Sequence, residues 1–136
     1  MAETLQLEIV TPDRLVEKDV VSEIQIPGKD GYLGILPGHA PLITELGIGE
    51  IRYVADHTTV HLAVAWGFAE VLPDKVTILA ETAERAEEID LARAQQARER
   101  AEQRLKSASG DVDFDRAEIA LERAQARIQV AEQNRR

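Results

Sequence analysis

Apolar and polar residues alternate over "TLQLEIV", with Leu5, Leu7 and Ile9 on one face and Thr4, Gln6 and Glu8 on the other. A period of two is that of a strand with one buried face. "VVSEIQIP" repeats it, setting Val21, Glu23 and Gln25 against Ser22, Ile24 and Ile26. "EIRYVAD", "TTVHLAVAW", "FAEVL" and "KVTILAE" continue the series. Turn residues separate these runs: Pro27-Gly28, Asp30-Gly31, Gly47 to Gly49, Asp56-His57, Gly67 and Pro73-Asp74. Short strands at this spacing predict an antiparallel sandwich or flattened barrel over residues 1–85.

Near Glu84 the period changes. Asp90 to Leu105 contains no proline or glycine and is rich in alanine, glutamate, glutamine and arginine, all strong helix formers. Asp90 stands where an N-cap belongs. Leu91, Ala94, Ala97, Ala101 and Leu105 share one face at helical spacing. "SASGDVD" breaks the helix, with Gly110 as the turn residue and Asp113 as a second N-cap. Phe114, Ala117, Leu121, Ala124, Ile128 and Ala131 then form a heptad seam. The expected fold is α+β with the classes segregated: a sandwich over 1–85 and an antiparallel two-helix hairpin over 86–136. The seam is mostly alanine, which lets helices approach closely but buries little area, at about 25 cal/mol per Å². Such a hairpin is expected to detach and extend at modest cost.

Charge sharpens the division. The 136-residue chain has a formal net charge of −9. Residues 1–85 hold 14 acidic and 6 basic side chains, and residues 86–136 hold 11 and 10. An acidic protein is a poor nucleic-acid binder, whose affinity rests on phosphate neutralisation. Without cysteine there is neither a disulfide framework nor a thiolate metal site. No signal peptide is expected from "MAETLQLEIV". No apolar run approaches the roughly 18 residues of a membrane span, so direct membrane insertion is not expected.

The candidate chemistry is sparse. In "GILPGHAP", His39 lies among Pro37, Pro41, Gly34 and Gly38, with no nucleophile, orienting carboxylate or second metal ligand nearby. The expectation is a rigid loop in which the ring bonds backbone. His57 and His61 fall on a different turn and strand, so no metal site is expected. No nucleophile–base set appears and no phosphate-binding P-loop, so no catalytic residue is assigned. Arg93, Arg100 and Arg104 recur at i, i+7, i+11, and Arg116, Arg123 and Arg127 repeat that spacing. Each stripe is either a solvated face with partners such as Glu99 or Glu122, or a surface for an acidic partner or an anion.

Four segments in order, "GYLGILPGHAPLI", "LAVAWGFAEV", "VTILAETAERAEEID" and "SGDVDFDRAEIALERA", resemble the epsilon subunit of bacterial and chloroplast F-type ATP synthases, called delta in mitochondria. The likeness runs from about Leu5 to Ile128. "VTPDRLV" and "ALERAQARIQV" resemble the photosynthetic branch, cyanobacterial or chloroplast, which implies a thylakoid membrane.

The resemblance implies a non-catalytic rotor subunit on the cytoplasmic or stromal face of an energy-transducing membrane. Its sandwich would hold the gamma subunit and sit on the c-subunit ring. Its hairpin would fold beside the sandwich, or extend toward the beta subunit and the catalytic head to block ATP hydrolysis. It implies that the loop of Lys29, Asp30, Gly31, Tyr32 and Leu33 faces the c-ring, with His39 near the same interface. "IDLARA" matches the I/L-D-x-x-R-A pattern of members that bind ATP on the folded hairpin. The matching residues are Glu84, Ile89, Asp90, Arg93, Ala94, Arg100, Arg123 and Arg127. Arginines suit phosphates. No cofactor is required, and ATP would be a regulatory ligand. Ile89 and Asp90 equally read as a staple and N-cap. An alternative of another class is a freestanding ATP-sensing module using the hairpin arginines.

Overall fold

The computed structural model describes residues 3–133. The outermost residues of the two expected units, 1–2 and 134–136, lie outside the described residues. Seven strands come first: β1 (Leu5–Val10), β2 (Leu15–Val21), β3 (Glu23–Gly28), β4 (Gly31–Ile35), β5 (Leu42–Ala55), β6 (Thr58–Leu72) and β7 (Lys75–Arg85). A 3-10 turn (Ala86–Glu88) leads to α1 (Leu91–Lys106) and α2 (Asp111–Gln133).

The strands form one sheet in the order β2-β1-β7-β6-β5-β3-β4. The expected sandwich is present, but its sheet is mixed rather than wholly antiparallel. β1 and β7 run parallel, with Gln6 opposite Lys75 and Val10 opposite Leu79. They come from opposite ends of the strand series, so no tight hairpin dictates their direction. Gly47–Gly49 and Gly67 do not end strands as expected. They lie inside β5, of 14 residues, and β6, of 15.

These positions change the phase of the sheet. In β5 the buried set passes from Leu46 to Gly49, Ile51 and Tyr53; in β6 it passes from Leu62 and Val64 to Ala69 and Val71. In β7 it passes from Val76, Ile78 and Ala80 to Ala83. Leu46 pairs with Gly67, and Gly67 with Ala80, so the slips line up across three strands. A one-residue slip exchanges the two faces of a strand. Here it folds the sheet across itself around one core containing Leu5, Ile26, Ile51, Tyr53, Leu62 and Ile78. Consistent with this, β5 touches β2 although three strands lie between them in the sheet order.

Gly67 makes the bend. Its φ is +121°, and a Cβ there would lie 1.9 Å from the Leu79 carbonyl oxygen. The preceding Trp66 has a φ of 54°, in the left-handed region that a bulky residue occupies only under constraint.

The helices follow the expected pattern with three corrections. Asp90 caps α1, accepting a 3.1 Å hydrogen bond from the Arg93 amide. Asp113 is not an N-cap: α2 already begins at Asp111, and Phe114 N donates to Gly110 O at 3.2 Å. Phe114 is not in the seam but 45% exposed, because it lies in the first turn beyond the reach of α1. Val130, outside the expected seam, is fully buried. It belongs to a second α2 face, turned toward the sandwich.

Candidate functional site at the docked hairpin

β5, β6 and β7 present two cross-strand rows to α2: Ile48–Ala65–Thr82 and Glu50–Ala63–Glu84. Ala63 and Ala65 point away from the sandwich core, yet both are buried. α2 covers this floor, packing on β5, β6 and the 3-10 turn. Alanine is the residue that lets a helix approach a sheet so closely. Val130 and Ala131 pack with Ala63, Ala86 and Ile89 in a small apolar cluster, separate from the main core.

Two arginines of α2 complete the dock. Arg127 places Nε 2.8 Å from Glu84 Oε1 and donates from Nη2 to Oε2 at 3.2 Å. The Nε–H is not aimed at the oxygen, so the first contact is ionic and the second is the hydrogen bond. The Arg123 guanidinium lies 5.5 Å from the Trp66 ring centre, within cation–π range. Thus neither takes the i, i+4 partner that a solvated face would supply. On α1 that pattern does occur, in the 3.8 Å Arg98–Glu102 pair.

Beside these contacts an open cleft of about 470 Å³ lies between the hairpin and the sandwich, lined by Arg14, Thr82, Glu84, Ala97, Arg123 and Arg127 among others. Of the eight residues matched to an ATP pocket, the structure brings Glu84, Arg123 and Arg127 together here. Arg93 and Arg100 are exposed on α1 and do not line the cleft. Ile89 is buried in the apolar cluster, Asp90 caps α1, and Ala94 is fully buried. Packing and capping therefore account for those three without a ligand.

The loops expected at the rotor interface are held by their own contacts. Lys29 and Asp30 form the two-residue turn between β3 and β4, closed by the Gly28–Gly31 pair with Gly31 at φ +139°. Lys29 Nζ lies 3.3 Å from Glu45. Tyr32 is half exposed and accepts a 3.0 Å hydrogen bond from the Glu50 amide, while Leu33 packs against the core. His39 donates from Nδ1 to the Ala40 carbonyl at 2.7 Å, and Gly38 N bonds Pro73 O at 2.7 Å. The ring therefore serves the shape of the loop, as its neighbours suggested. Among the described residues no group of three or more acidic or histidine side chains is placed to hold a metal ion.

Sequence reasoning missed a polar chain at the junction of the two parts. The Tyr53 hydroxyl donates to Glu17, which also accepts from Arg85 Nε; Arg85 Nη2 donates to Val16 O. Glu88 accepts from the Arg85 amide at 3.0 Å and from Arg14 Nη2 at 2.9 and 3.1 Å. Burial, and then the bond to Glu17, push the Tyr53 phenol well above its usual range. The Arg85 amide, followed by Arg14 and against the effect of burial, holds the Glu88 carboxyl below its ordinary value. The partners are separated by up to 74 positions, so no local pattern signals them.

A strand sandwich carrying a docked helical hairpin, with Arg123 and Arg127 spent on contacts between the two, defines a two-part protein. The model of the ATP synthase delta/epsilon chain β-sandwich domain matches residues 4–86, and that of the delta/epsilon chain long α-helix domain matches 87–132. The chain belongs to the ATP synthase delta/epsilon family, and it is a non-catalytic chain of that enzyme. It is 72% identical to the ATP synthase epsilon chain of Koribacter versatilis over 108 residues, 79% of this chain and 76% of that one. It is 53% identical to the epsilon chain of Geotalea uraniireducens, covering 80% and 79%. In the fold, a chain of the Euglena gracilis mitochondrial ATP synthase OSCP/F1/c-ring assembly superposes with a TM-score of 0.84 at 24% identity, covering 97% of this chain and 83% of that one.

The cyanobacterial or chloroplast assignment, and with it the thylakoid membrane, is corrected. The similar chains come from acidobacteria and deltaproteobacteria. The segments that suggested otherwise are set by the fold: Thr11–Arg14 closes the β1–β2 turn, and Arg123 to Val130 form the docking face. Among the described residues no helix is long and apolar enough to cross a membrane.

Proposed function

We propose that this chain is a central-stalk subunit of a rotary ATP synthase, peripheral to the membrane. Its sandwich joins the gamma subunit to the c-ring, and its hairpin restrains ATP hydrolysis when it leaves the sandwich and reaches the beta subunit in the catalytic head. One observation carries the regulatory half: the hairpin is held by one helix over an alanine floor, with a small apolar cluster, one partly exposed ion pair and one cation–π contact. A dock of that size separates two positions by only a few kcal/mol, as a switch requires. The assembly half is supported by the relatives' names and by exposed Ile43, Phe68 and Leu79 on the outer sheet face. The Lys29–Leu33 turn and the His39 loop are the surfaces offered to the c-ring.

The test is removal of residues 89–136 in the assembled enzyme. Binding to gamma should persist and ATP hydrolysis should rise. Inhibition that continues unchanged in the truncated protein would overturn the mechanism.

The cleft favours a second reading, in which ATP binds the folded hairpin. Arg123 and Arg127 would meet phosphate, and Glu84 would first have to release Arg127. Calorimetry decides it: no heat at millimolar ATP removes it, and Arg127→Ala should abolish any heat observed.

A further inference from the structure

The chain from β7 to α1 divides at one peptide. Upstream, the 3-10 turn is fixed to the sandwich twice. Glu88 accepts from the Arg85 amide, and both of its carboxylate oxygens accept from Arg14 Nη2, at 2.9 and 3.1 Å. Arg85 is itself tied to Glu17 and to the Val16 carbonyl on β2. The last backbone bond of this side is Ile89 N to Ala86 O, 3.3 Å. Downstream, Asp90 belongs to α1, accepting from Arg93 N at its side chain and from Ala94 N at its carbonyl, 3.1 and 3.0 Å. Ile89 and Asp90 are both extended, with φ/ψ of −84°/126° and −81°/101°. Rotation between them breaks none of these bonds.

We propose that the Arg14–Glu88–Arg85 clamp keeps the Ala86–Glu88 turn with the sandwich, so that the helices leave it by rotation about Ile89–Asp90. This deepens the two-position reading above and rests on it. Undocking then severs the contacts of Arg123, Arg127, Val130 and Ala131 and shifts the packing of Leu91, and it leaves Ala63, Ala86 and Ile89 as a preserved socket for return. A pivot held at one end by charge-assisted hydrogen bonds gives a hinge of defined position rather than a melted linker.

The test uses the full chain in isolation. Val130→Asp places a charge in the socket and should release the hairpin, reported by the emission of Trp66, the only tryptophan. Amide exchange and 15N relaxation then locate the pivot. Ile89 and Arg85 amides should stay within about threefold of their parent protection, and residues 85–89 should tumble with the sandwich. In Val130→Asp carrying Glu88→Ala, both amides should lose tenfold or more. Loss of protection at Arg85 and Ile89 in Val130→Asp alone would place the pivot upstream and overturn the clamp. Unchanged Trp66 emission in Val130→Asp would instead show that the hairpin does not undock, ending the two-position reading and the pivot with it.

Discussion

Arg127 on α2 meets Glu84 on β7 across the boundary between hairpin and sandwich, 43 positions apart in sequence. The pair is 29% and 34% exposed, so water screens it. Arg127→Ala should therefore weaken docking by about 1 kcal/mol or less. The effect should shrink at high salt. A double-mutant cycle with Glu84→Ala, read by Trp66 emission in urea, measures the coupling. A coupling well above this value, insensitive to salt, would make the ion pair the principal latch and the apolar cluster secondary.

Gly67 is a position where only glycine fits. A Cβ would strike the Leu79 carbonyl, and the backbone is left-handed. Gly67→Ala should destabilise the sandwich by about 3–5 kcal/mol, seen as a large drop in melting temperature. Gly34→Ala is the comparison, since a Cβ there meets nothing within 4 Å. Equal melting temperatures for the two variants would contradict the bend described here.

That contrast also marks how far the sequence is legible. Strand type, the helix boundary near Asp90 and the alanine seam are local and periodic, and they can be read. The phase slips at Gly47, Gly67 and Glu81 cannot, because each strand keeps its alternation on both sides of the slip. Glycine there looks like a turn when it is a bend inside a longer strand. Val130 was hidden for a related reason: α2 has two buried faces, and a search for one stripe finds the heptad seam. Of the candidate site, Arg123 and Arg127 are legible as an arginine stripe by their spacing, while Glu84 is legible only through a family pattern. The clamp of Arg14, Arg85 and Glu88 was not legible at all, since it joins residues that only the folded sheet brings together.

The clamp carries a pH dependence of definite sign. Glu88 has its carboxyl below the ordinary value of 4.5 in the folded chain. A lowered folded value means the unfolded chain takes up the proton first on acidification. Its contribution is therefore fully present above about pH 5 and is lost as pH falls through the folded value. The stability difference between the parent and Glu88→Gln should be flat from pH 8 to about 5 and narrow below that. Urea midpoints across this range measure it. A difference that widens on acidification would reverse the sign and exclude the clamp as its source.

Phe68 and Leu79 lie directly opposite each other on β6 and β7, 52% and 54% exposed, and Val10 lies opposite Leu79 on β1. On β5 the residue opposite Phe68 is Glu45, and Ile43, two positions away on the same face, is 71% exposed. These side chains contribute little to the fold, because water already reaches them. Phe68→Ser and Leu79→Ser should therefore leave the melting temperature nearly unchanged. Covered by a partner, the half of each that is still exposed would be worth about 1–1.5 kcal/mol. Either substitution should then weaken gamma binding by about tenfold. Calorimetric titration of the isolated chain into gamma reads both effects together. Val130→Asp should leave that affinity intact, because its site is on the hairpin. Full gamma affinity in the Phe68→Ser, Leu79→Ser double variant would move the assembly surface elsewhere on the sandwich, with the Lys29–Leu33 turn and the His39 loop as the next surfaces to substitute.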